Sequence, residues 1–370
     1  MSEVVLFDEA ATTSGHRIGI VTLNAPASLN ALSLPMVRLM LPRLQSWAQD
    51  ADICAVVLQA TGDKAFCAGG DLRELYQSMR EYGPRPNPYA QEFFGQEYRL
   101  DHLIHTYPKP FVCWGHGIVM GGGIGLMCGA SHRVVTPASR LAMPEIGIGL
   151  YPDVGGSWFL NRMPGRIGLF LALTGAQLNA GDALFGGLAD VCIEPQRRLE
   201  LFDDLTQLHW SADAQRDSAA VSRLLARLAQ NCALPPSRLR QHYDAIDQLM
   251  SEPTLPEIAA RLRALNTDDS WLAGAAANFA KGSPTSAMLA HALWRRVARL
   301  SLADVFRLEY QVSLGCCAHG EFTEGIRALL IDKDRQPRWN PATLEGVTPD
   351  LLNDHFMPRH AGAHPLADLR

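Results

Sequence analysis

The stretch from Phe111 to Ala130 constrains the fold more than any other part of this 370-residue chain. It has twenty residues without a Lys, Arg, Asp or Glu, and seven of them are glycines. A membrane-spanning helix of this length would be richer in Leu, Ile and Val, and Pro110 directly precedes the stretch. A buried β-strand followed by a glycine turn and a helix explains the composition better. We therefore expect no membrane span and no membrane partner.

The same succession of strand, turn and helix recurs along the first half of the chain. Val4–Phe7 and Ile18–Leu23 have strand-type composition, and Ser33 then precedes an amphipathic helix. Ile53–Gln59 is a continuous apolar run, which suits a strand buried on both faces. A short apolar segment, 65–68, leads into glycines and the next helix. Strands that alternate with helices indicate an α/β fold.

The sequence pattern changes at about residue 196, where strand-type runs give way to helical stripes of apolar residues. We predict an α/β core over 1–195 and a helical C-terminal region over 196–357. Residues 358–370 are predicted to be a flexible tail, because Pro, Gly and His interrupt any regular pattern there.

Charge and cysteine usage argue against several classes of protein. The 33 Lys and Arg residues against 38 Asp and Glu give a net charge of −5, without the basic excess typical of nucleic-acid binding. The eight cysteines form no CxxC pair and no zinc spacing, and the helically spaced pairs His102/His105 and His360/His364 each lack a third ligand candidate nearby. The N-terminus has no signal or transit pattern. The expectation is a reduced, cytoplasmic protein without a metal or a nucleic-acid partner.

Two glycine-rich segments suggest a site for a developing negative charge. Residues 65–72 place Gly70 just before a helix start, and residues 115–126 place Gly122 at another. Backbone N–H groups at a helix N-terminus carry partial positive charge. One N–H from each segment would form a two-donor oxyanion hole. The alternative is that each glycine cluster only permits a tight turn or close helix packing.

A third segment contains two isolated acids. Glu145 and Asp153 are the charged residues of the run 141–161. Burying a carboxylate is unfavourable unless it has a partner or a task, and desolvation raises its pKa into the range of a general base or acid. The alternatives are a turn or helix-cap role for Asp153 and a buried salt bridge for Glu145.

In this order and spacing, the three segments resemble the crotonase (enoyl-CoA hydratase/isomerase) superfamily. Its AGxDL, GGG and PE motifs correspond to Ala68–Leu72, Gly121–Gly123 and Pro144-Glu145. The chain is most similar to the 3-hydroxyisobutyryl-CoA hydrolase subfamily. Segments that carry this closer similarity include 66–71, 152–156, 324–328 and 330–334. The resemblance implies a crotonase-like core of repeated ββα units followed by a helical C-terminal region. The resemblance is compatible with a homo-oligomer and does not specify the number of subunits.

The resemblance also implies roles for individual residues. Gly70 and Gly122 would supply the two oxyanion N–H groups around a thioester carbonyl. Glu145 matches a catalytic glutamate of the superfamily, and Asp153 matches an additional carboxylate of the hydrolases. Glu145 would act either as a general base on water or as a nucleophile that forms a mixed anhydride. Further substrate contacts are implied for Glu97 and, along the adenine end of coenzyme A, for Ala68 and Leu72.

One departure from the hydratases bears on the reaction. Hydratases carry a second glutamate three residues after the middle glycine of GGG, and this chain has Gly125 there. The predicted reaction is therefore hydrolysis of a short 3-hydroxyacyl-CoA, such as 3-hydroxyisobutyryl-CoA in valine catabolism. Coenzyme A belongs to the substrate, so no separate cofactor is expected. The alternatives are an enoyl-CoA hydratase or isomerase and a non-catalytic acyl-CoA binder.

Overall fold

The computed structural model describes residues 3–211 and 213–370. The strands are β1 (Val5–Ala11), β2 (Arg17–Leu23), β3 (Ile53–Ala60), β4 (Ala65–Cys67), β5 (Phe111–Gly115), β6 (Ile118–Met120), β7 (His132–Val135), β8 (Arg140–Ala142) and β9 (Val191–Cys192). The first helices are α1 (Leu34–Gln49), α2 (Leu72–Tyr82), α3 (Pro88–His105), α4 (Gly122–Gly129), α5 (Gly156–Leu160), α6 (Ile167–Thr174), α7 (Ala180–Phe185), α8 (Arg198–Gln207) and α9 (Ala214–Leu228). The later helices are α10 (Arg238–Gln241), α11 (Tyr243–Leu249), α12 (Leu255–Arg263), α13 (Ser270–Lys281), α14 (Pro284–Arg296), α15 (Leu302–Ala318), α16 (Gly320–Ile326) and α17 (Pro349–Asp354).

These residues form two compact units, each assembled from three stretches of the chain. The sheet unit comprises the residues up to Gly70, Leu100–Leu141 and Leu178–Gln241. The helical unit comprises Asp71–Arg99, Ala142–Gln177 and His242–Arg370. The division at residue 195 was inferred from the sequence pattern, and it stays a prediction.

The sheet unit contains two sheets. The larger has the strand order β1-β2-β3-β5-β7-β9, with an antiparallel β1–β2 hairpin and parallel pairing beyond it. The smaller has the order β4-β6-β8. From β3 to β8 the chain alternates between the sheets, and each pair of strands is followed by a helix. The predicted α/β fold of repeated ββα units with a helical C-terminal region is confirmed.

The core of the sheet unit follows from the apolar runs of the sequence. β3 is buried along its length except for the half-buried Gln59, as expected for a strand covered on both faces. Trp114 of β5 belongs to an apolar cluster with Leu205 of α8 and Val221 of α9. The C-terminal half of the chain thus contributes helices to the unit that contains the sheets.

In the helical unit, the last residues make specific contacts, and the flexibility expected for 358–370 stays a prediction. Leu366 is fully buried, and its carbonyl accepts a hydrogen bond from Nε of Arg307 at 3.1 Å. Asp368 forms an ion pair with Arg99, with a shortest N–O distance of 2.6 Å. Pro, Gly and His prevent regular structure in 358–370, but the apolar Leu366 still anchors the irregular backbone. Across the part of the chain that the structure describes, no helix is long and apolar enough to cross a membrane.

Candidate active site

The sheet unit brings the two predicted glycine segments together. β4 and β6 pair in parallel, so the chain after β4 and the chain after β6 leave the small sheet side by side. Gly69 then lies against Met120, whose carbonyl oxygen would be 3.5 Å from a Cβ at position 69. Gly70 is half-buried, and Gly122 is the buried first residue of α4. As the first residue of a helix, Gly122 has an N–H without a partner in its own helix.

Close packing explains why glycine is needed beside this helix start. A Cβ at Gly123 would lie 2.5 Å from the carbonyl oxygen of Cys67 and 2.9 Å from its Cβ. Any side chain at position 123 would therefore push α4 away from the end of β4. The packing alternative thus holds for Gly123. It does not conflict with an oxyanion role for Gly122, because the packing is what holds the two backbone segments next to each other.

The residues predicted along coenzyme A are both half-buried. Ala68 is half-buried in the sheet unit, and its N–H donates to the carbonyl of Leu29 at 3.1 Å. Leu72 is half-buried in the helical unit as the first residue of α2, a helix that the Asp71 side chain caps. Their contact with coenzyme A stays a prediction.

Glu145 begins a short 3₁₀ turn, Glu145–Ile148, in the helical unit. Its side chain is buried, and Oε2 has no hydrogen-bond partner among the described residues. Burial raises the pKa of Glu145 well above its usual range, and the nearby charge of Asp153 raises it further. Within the described residues no basic group contributes to this shift, which argues against the buried salt bridge considered for Glu145. A buried carboxyl with an open oxygen and raised pKa suits a general base or nucleophile.

Asp153 lies in the turn before α5 and is also buried. The N-cap of α5 is Gly155, so Asp153 does not have the cap role considered for it. Its Oδ2 instead accepts a hydrogen bond from the phenolic O–H of Tyr98 at 2.6 Å. Burial raises the pKa of Asp153 to about 6, and the Tyr98 hydrogen bond opposes part of that increase. Asp153 can therefore change its protonation state close to neutral pH.

Glu97 completes the group of acids in the helical unit. It lies on α3 next to Tyr98 and is buried. Burial raises the pKa of Glu97 well above its usual range, and the charge of Asp153 adds to the increase. Asp153 thus acts electrostatically on both Glu97 and Glu145. The structure brings together the three carboxyl groups that the sequence indicated, and their catalytic and binding roles stay predictions.

Sequence reasoning missed the residues that surround Asp153. They are Tyr98, Tyr151, Glu309 and Ser313, and all four side chains are fully buried. A signal for Glu309 was present: Val305, Phe306 and Val312 recur at helical spacing around it, which places Glu309 on the apolar face of α15. An acid on an apolar helix face is expected to have a specific partner.

Comparison with known proteins gives consistent results along nearly the whole chain. The profile of the family described as Enoyl-CoA hydratase/isomerase matches residues 18–356. A protein named 3-hydroxyisobutyryl-CoA hydrolase, mitochondrial, from Danio rerio is 39% identical over 352 residues, which are 95% of this chain and 89% of that relative. The Homo sapiens protein of the same name is 36% identical over 355 residues, with 96% and 89% covered.

Solved structures agree on the fold, although their names refer to other reactions. A crystal structure described as a carnitinyl-CoA dehydratase from Mycobacterium thermoresistibile has a TM-score of 0.84 and 37% identity, and covers 96% of this chain and 97% of its own. A structure described as an enoyl-CoA hydratase from Rhodobacter sphaeroides 2.4.1 has a TM-score of 0.82 and 36% identity, and covers 95% and 97%.

Proposed function

Because this chain belongs to the enoyl-CoA hydratase/isomerase family, also called the crotonase superfamily, we propose that it hydrolyses a short 3-hydroxyacyl-CoA thioester. The specific substrate proposed is 3-hydroxyisobutyryl-CoA, which would give 3-hydroxyisobutyrate and free coenzyme A. The names of relatives at 36 to 39% identity support a hydrolase of this kind. Identity at this level leaves the acyl group to be established by assay.

The distribution of the acids carries the proposal. α4 contains no acidic residue, because Gly125 occupies the position where hydratases of the family have a second glutamate. Glu145 is instead accompanied by Asp153 and Glu97 in the helical unit. Hydration of a double bond in this family uses two glutamates on one water, whereas hydrolysis needs one base or nucleophile.

In the proposed mechanism, the N–H groups of Gly70 and Gly122 donate to the thioester carbonyl oxygen. They stabilise the negative charge that develops there, and loss of one such donor typically costs about 3 to 4 kcal/mol in the transition state. Glu145 takes a proton from water as the oxygen attacks the carbonyl carbon. The tetrahedral intermediate then reforms the carbonyl, the C–S bond breaks, and the coenzyme A thiolate leaves. The proton that Glu145 took from water is passed on to the thiolate, which regenerates the Glu145 carboxylate.

A second route uses Glu145 as the nucleophile. Its carboxylate attacks the carbonyl carbon and expels the thiolate, and water then opens the resulting mixed anhydride. A single turnover in ¹⁸O-labelled water tests the anhydride route, because hydrolysis of the anhydride at the Glu145 carbonyl carbon leaves label in its carboxylate. Label confined to the free acid would exclude that course of the anhydride route.

The proposal predicts a strong preference for hydroxylated substrates, to be measured as free thiol release from a panel of acyl-CoAs. If Asp153 hydrogen-bonds the 3-hydroxyl, a substrate without that group leaves a buried carboxyl unpaired, which can reduce kcat/KM by up to ~10⁴-fold. Isobutyryl-CoA should therefore be cleaved far more slowly than 3-hydroxyisobutyryl-CoA. Asp153→Asn should reduce the difference in kcat/KM between these two substrates. 3-Hydroxypropionyl-CoA should be tolerated, since it lacks only a methyl group, worth about 1 to 3 kcal/mol. Equal rates for both isobutyryl substrates would contradict the role of Asp153 and the proposed substrate.

A hydratase is the second candidate, and the names of the two similar crystal structures favour it. It predicts loss of the conjugated double bond of methacrylyl-CoA or crotonyl-CoA without thiol release. Thiol release without hydration would support the hydrolase. Acyl-CoA binding without either reaction would indicate the non-catalytic binder.

The cellular setting is proposed on the same basis. 3-Hydroxyisobutyryl-CoA hydrolysis would place the enzyme in valine breakdown, and we propose a cytoplasmic location. The names of the relatives assign those proteins to mitochondria. Fractionation of cells that express the full chain tests the location, and sedimentation of the purified protein tests whether it forms a homo-oligomer.

A further inference from the structure

Glu309 is a buried acid that the proposed mechanism does not use. It lies on α15 in the helical unit and has no solvent exposure. Its two carboxyl oxygens accept hydrogen bonds from the backbone N–H groups of Gly155, at 2.8 Å, and Ser157, at 3.0 Å. Glu309 therefore binds the backbone directly after Asp153 at two points.

The backbone at this place has an uncommon conformation. Val154 has φ 52°, and Gly155 has φ 81°. The left-handed region is unfavourable for a β-branched residue such as valine, so surrounding contacts must hold Val154 there. The hydrogen bond from the Gly155 N–H to Glu309 lies directly after the strained residue. It thus contributes to keeping the turn, and with it the direction of the Asp153 side chain.

Glu309 also binds the chain before Asp153. The phenolic O–H of Tyr151 donates to the backbone carbonyl of Glu309 at 2.7 Å. The same α15 residue therefore holds Tyr151 on one side of Asp153, and Gly155 and Ser157 on the other. The turn is attached to one helix on both sides of its acid.

A chain of hydroxyl groups links this attachment to the carboxyl group of Asp153. Ser313, one helical turn after Glu309, has its Oγ 2.9 Å from the Tyr151 hydroxyl and 2.7 Å from the Tyr98 hydroxyl. Tyr98 in turn donates to Oδ2 of Asp153 at 2.6 Å. α15 thus fixes both the backbone and, through Tyr98, one carboxyl oxygen of Asp153.

We infer that Glu309 is a positioning residue that sets the orientation of Asp153 and thereby the preference for a 3-hydroxylated acyl group. This inference rests on the proposed function, in which Asp153 recognises the 3-hydroxyl. Glu309 acts through the turn and does not need to contact the substrate.

The test compares Glu309→Gln with a matched variant in the sheet unit. A glutamine has one oxygen for one N–H, and its NH₂ group then faces the second N–H donor. Asp182→Asn is the control. Asp182 is equally buried and accepts the backbone N–H groups of Leu239, at 2.8 Å, and Asn179, at 3.0 Å, and it also binds Ser237 and Arg238. Both variants alter a buried carboxyl that binds two backbone donors, but only position 309 borders Asp153.

Two measurements are made on each full-length variant. The first is kcat/KM for 3-hydroxyisobutyryl-CoA and for isobutyryl-CoA. In Glu309→Gln the ratio of the two should fall at least about tenfold, since a misplacement of about 1 Å can reduce rates ~10²-fold. The second is hydrogen exchange of peptides covering 151–157, which should become faster. Asp182→Asn should leave both the ratio and this exchange unchanged.

Three outcomes would overturn the inference. The first is unchanged hydrogen exchange over 151–157 in Glu309→Gln. The second is faster exchange in Glu309→Gln with an unchanged ratio of the two kcat/KM values. The third is that Glu309→Gln and Asp182→Asn lose activity on both substrates to the same extent. If the wild-type enzyme releases thiol from neither substrate, the proposed function fails, and this reading of Glu309 as a specificity residue fails with it. In that case, if hydrogen exchange over 151–157 became faster in Glu309→Gln and not in Asp182→Asn, the result would still show that Glu309 holds the turn.

A milder variant keeps the test decisive if Glu309→Gln does not fold. Tyr151→Phe removes the O–H that donates to the Glu309 carbonyl at 2.7 Å and that also lies 2.9 Å from the Oγ of Ser313. It should lower the substrate ratio in the same direction, by about threefold, because one of the three hydrogen bonds between Glu309 and the turn is lost. An unchanged ratio together with unchanged exchange in this folded variant would also count against the inference.

Discussion

Burial controls the chemistry of single residues in the candidate site. Glu145 and Asp153 are 4% and 5% exposed, and within the described residues no basic side chain contributes to the pKa shift of either. Desolvation then disfavours the charged form, so both pKa values rise. A carboxylate with a raised pKa is a stronger base than one in water, which is what removal of a proton from water requires.

The first prediction concerns Glu145→Gln. The glutamine keeps the shape of the side chain but removes the base or nucleophile. Thiol release from 3-hydroxyisobutyryl-CoA should fall at least ~10²-fold, the lower end for a positioned acid–base group. Substrate affinity, measured by calorimetry with the inactive variant, should remain close to that of the wild type. Near-normal turnover of the purified variant would remove Glu145 from the mechanism.

The second prediction concerns the pH dependence that Asp153 confers. Its pKa is about 6, and the Tyr98 O–H that donates to Oδ2 favours the ionised form. If ionised Asp153 accepts the substrate hydroxyl, kcat/KM should rise with pH through about 6 and level off above it.

Asp153→Asn is the control for this profile, because an asparagine does not titrate in the range. The rise near pH 6 should be absent from the variant, whereas a contribution from Glu145 would remain. If kcat/KM of the wild type instead falls as pH rises through about 6, the protonated form of Asp153 is the active one. Its role would then be to deliver a proton to the leaving thiolate.

At the scale of elements, α16 holds the 3₁₀ turn that carries Glu145. A Cβ at Gly325 would lie 2.2 Å from the carbonyl carbon and oxygen of Ile148, the last residue of that turn. A Cβ at Gly149 would lie 2.3 Å from the carbonyl oxygen of Glu321. One glycine in α16 and another directly after the turn therefore allow the two backbones to approach closely. This contact explains why a glycine stands in the Glu324-Gly325 segment that the sequence singled out.

The third prediction uses two glycines in helices of the same unit. Gly325→Ala should lower stability by about 1 to 3 kcal/mol, because the methyl group overlaps the backbone of Ile148, and it should also reduce turnover by moving Glu145. Gly274→Ala is the matched control in α13, where nothing lies within 4 Å of the added Cβ. It should stabilise the protein by up to about 1 kcal/mol, since alanine favours the helix. Thermal unfolding measures the stability of each variant, and thiol release measures its turnover. An equal response of the two variants would contradict the close contact between Gly325 and Ile148.

At the scale of the whole molecule, the helical unit concentrates acids whose burial opposes ionisation. Burial is the largest cause of a raised pKa at five acidic residues of this unit, which are Glu97, Glu145, Asp153, Glu309 and Glu321. A carboxyl with a raised pKa in the folded state stabilises the fold below its unfolded pKa, and this contribution is lost as pH rises through the folded pKa. These acids should therefore make the protein less stable as the solution becomes more alkaline.

The fourth prediction isolates this effect with Glu309. Burial raises its pKa from 4.5 to about 8, so its contribution is full below about pH 4.5 and lost by about pH 8. The Tm of the wild type minus that of Glu309→Gln should shrink between about pH 5 and pH 8, by on the order of 5 °C. Glutamine does not titrate, so the Tm of the variant lacks the pH dependence that Glu309 contributes to the wild type. A Tm difference that stays constant across the range would mean that Glu309 has an unshifted pKa in the folded protein.

The sequence by itself determined the features that depend on neighbours along the chain. The apolar run at 53–59, the glycines around the start of α4 and the isolated acids Glu145 and Asp153 were all visible as local patterns. The alternation of strand and helix patterns predicted the α/β fold, and the order of three short motifs carried the resemblance to its family. They are readable because backbone conformation and side-chain periodicity are set within a few residues.

Only the tertiary structure decided which distant residues surround those acids. Tyr98 and Glu309 reach the Asp153 turn from positions 55 residues before Asp153 and 154 residues after Gly155. Contacts over such separations also assemble each compact unit from three stretches of chain. The physical reason is that a buried polar group must find a partner wherever packing brings one, and packing joins surfaces without regard to their order in the sequence.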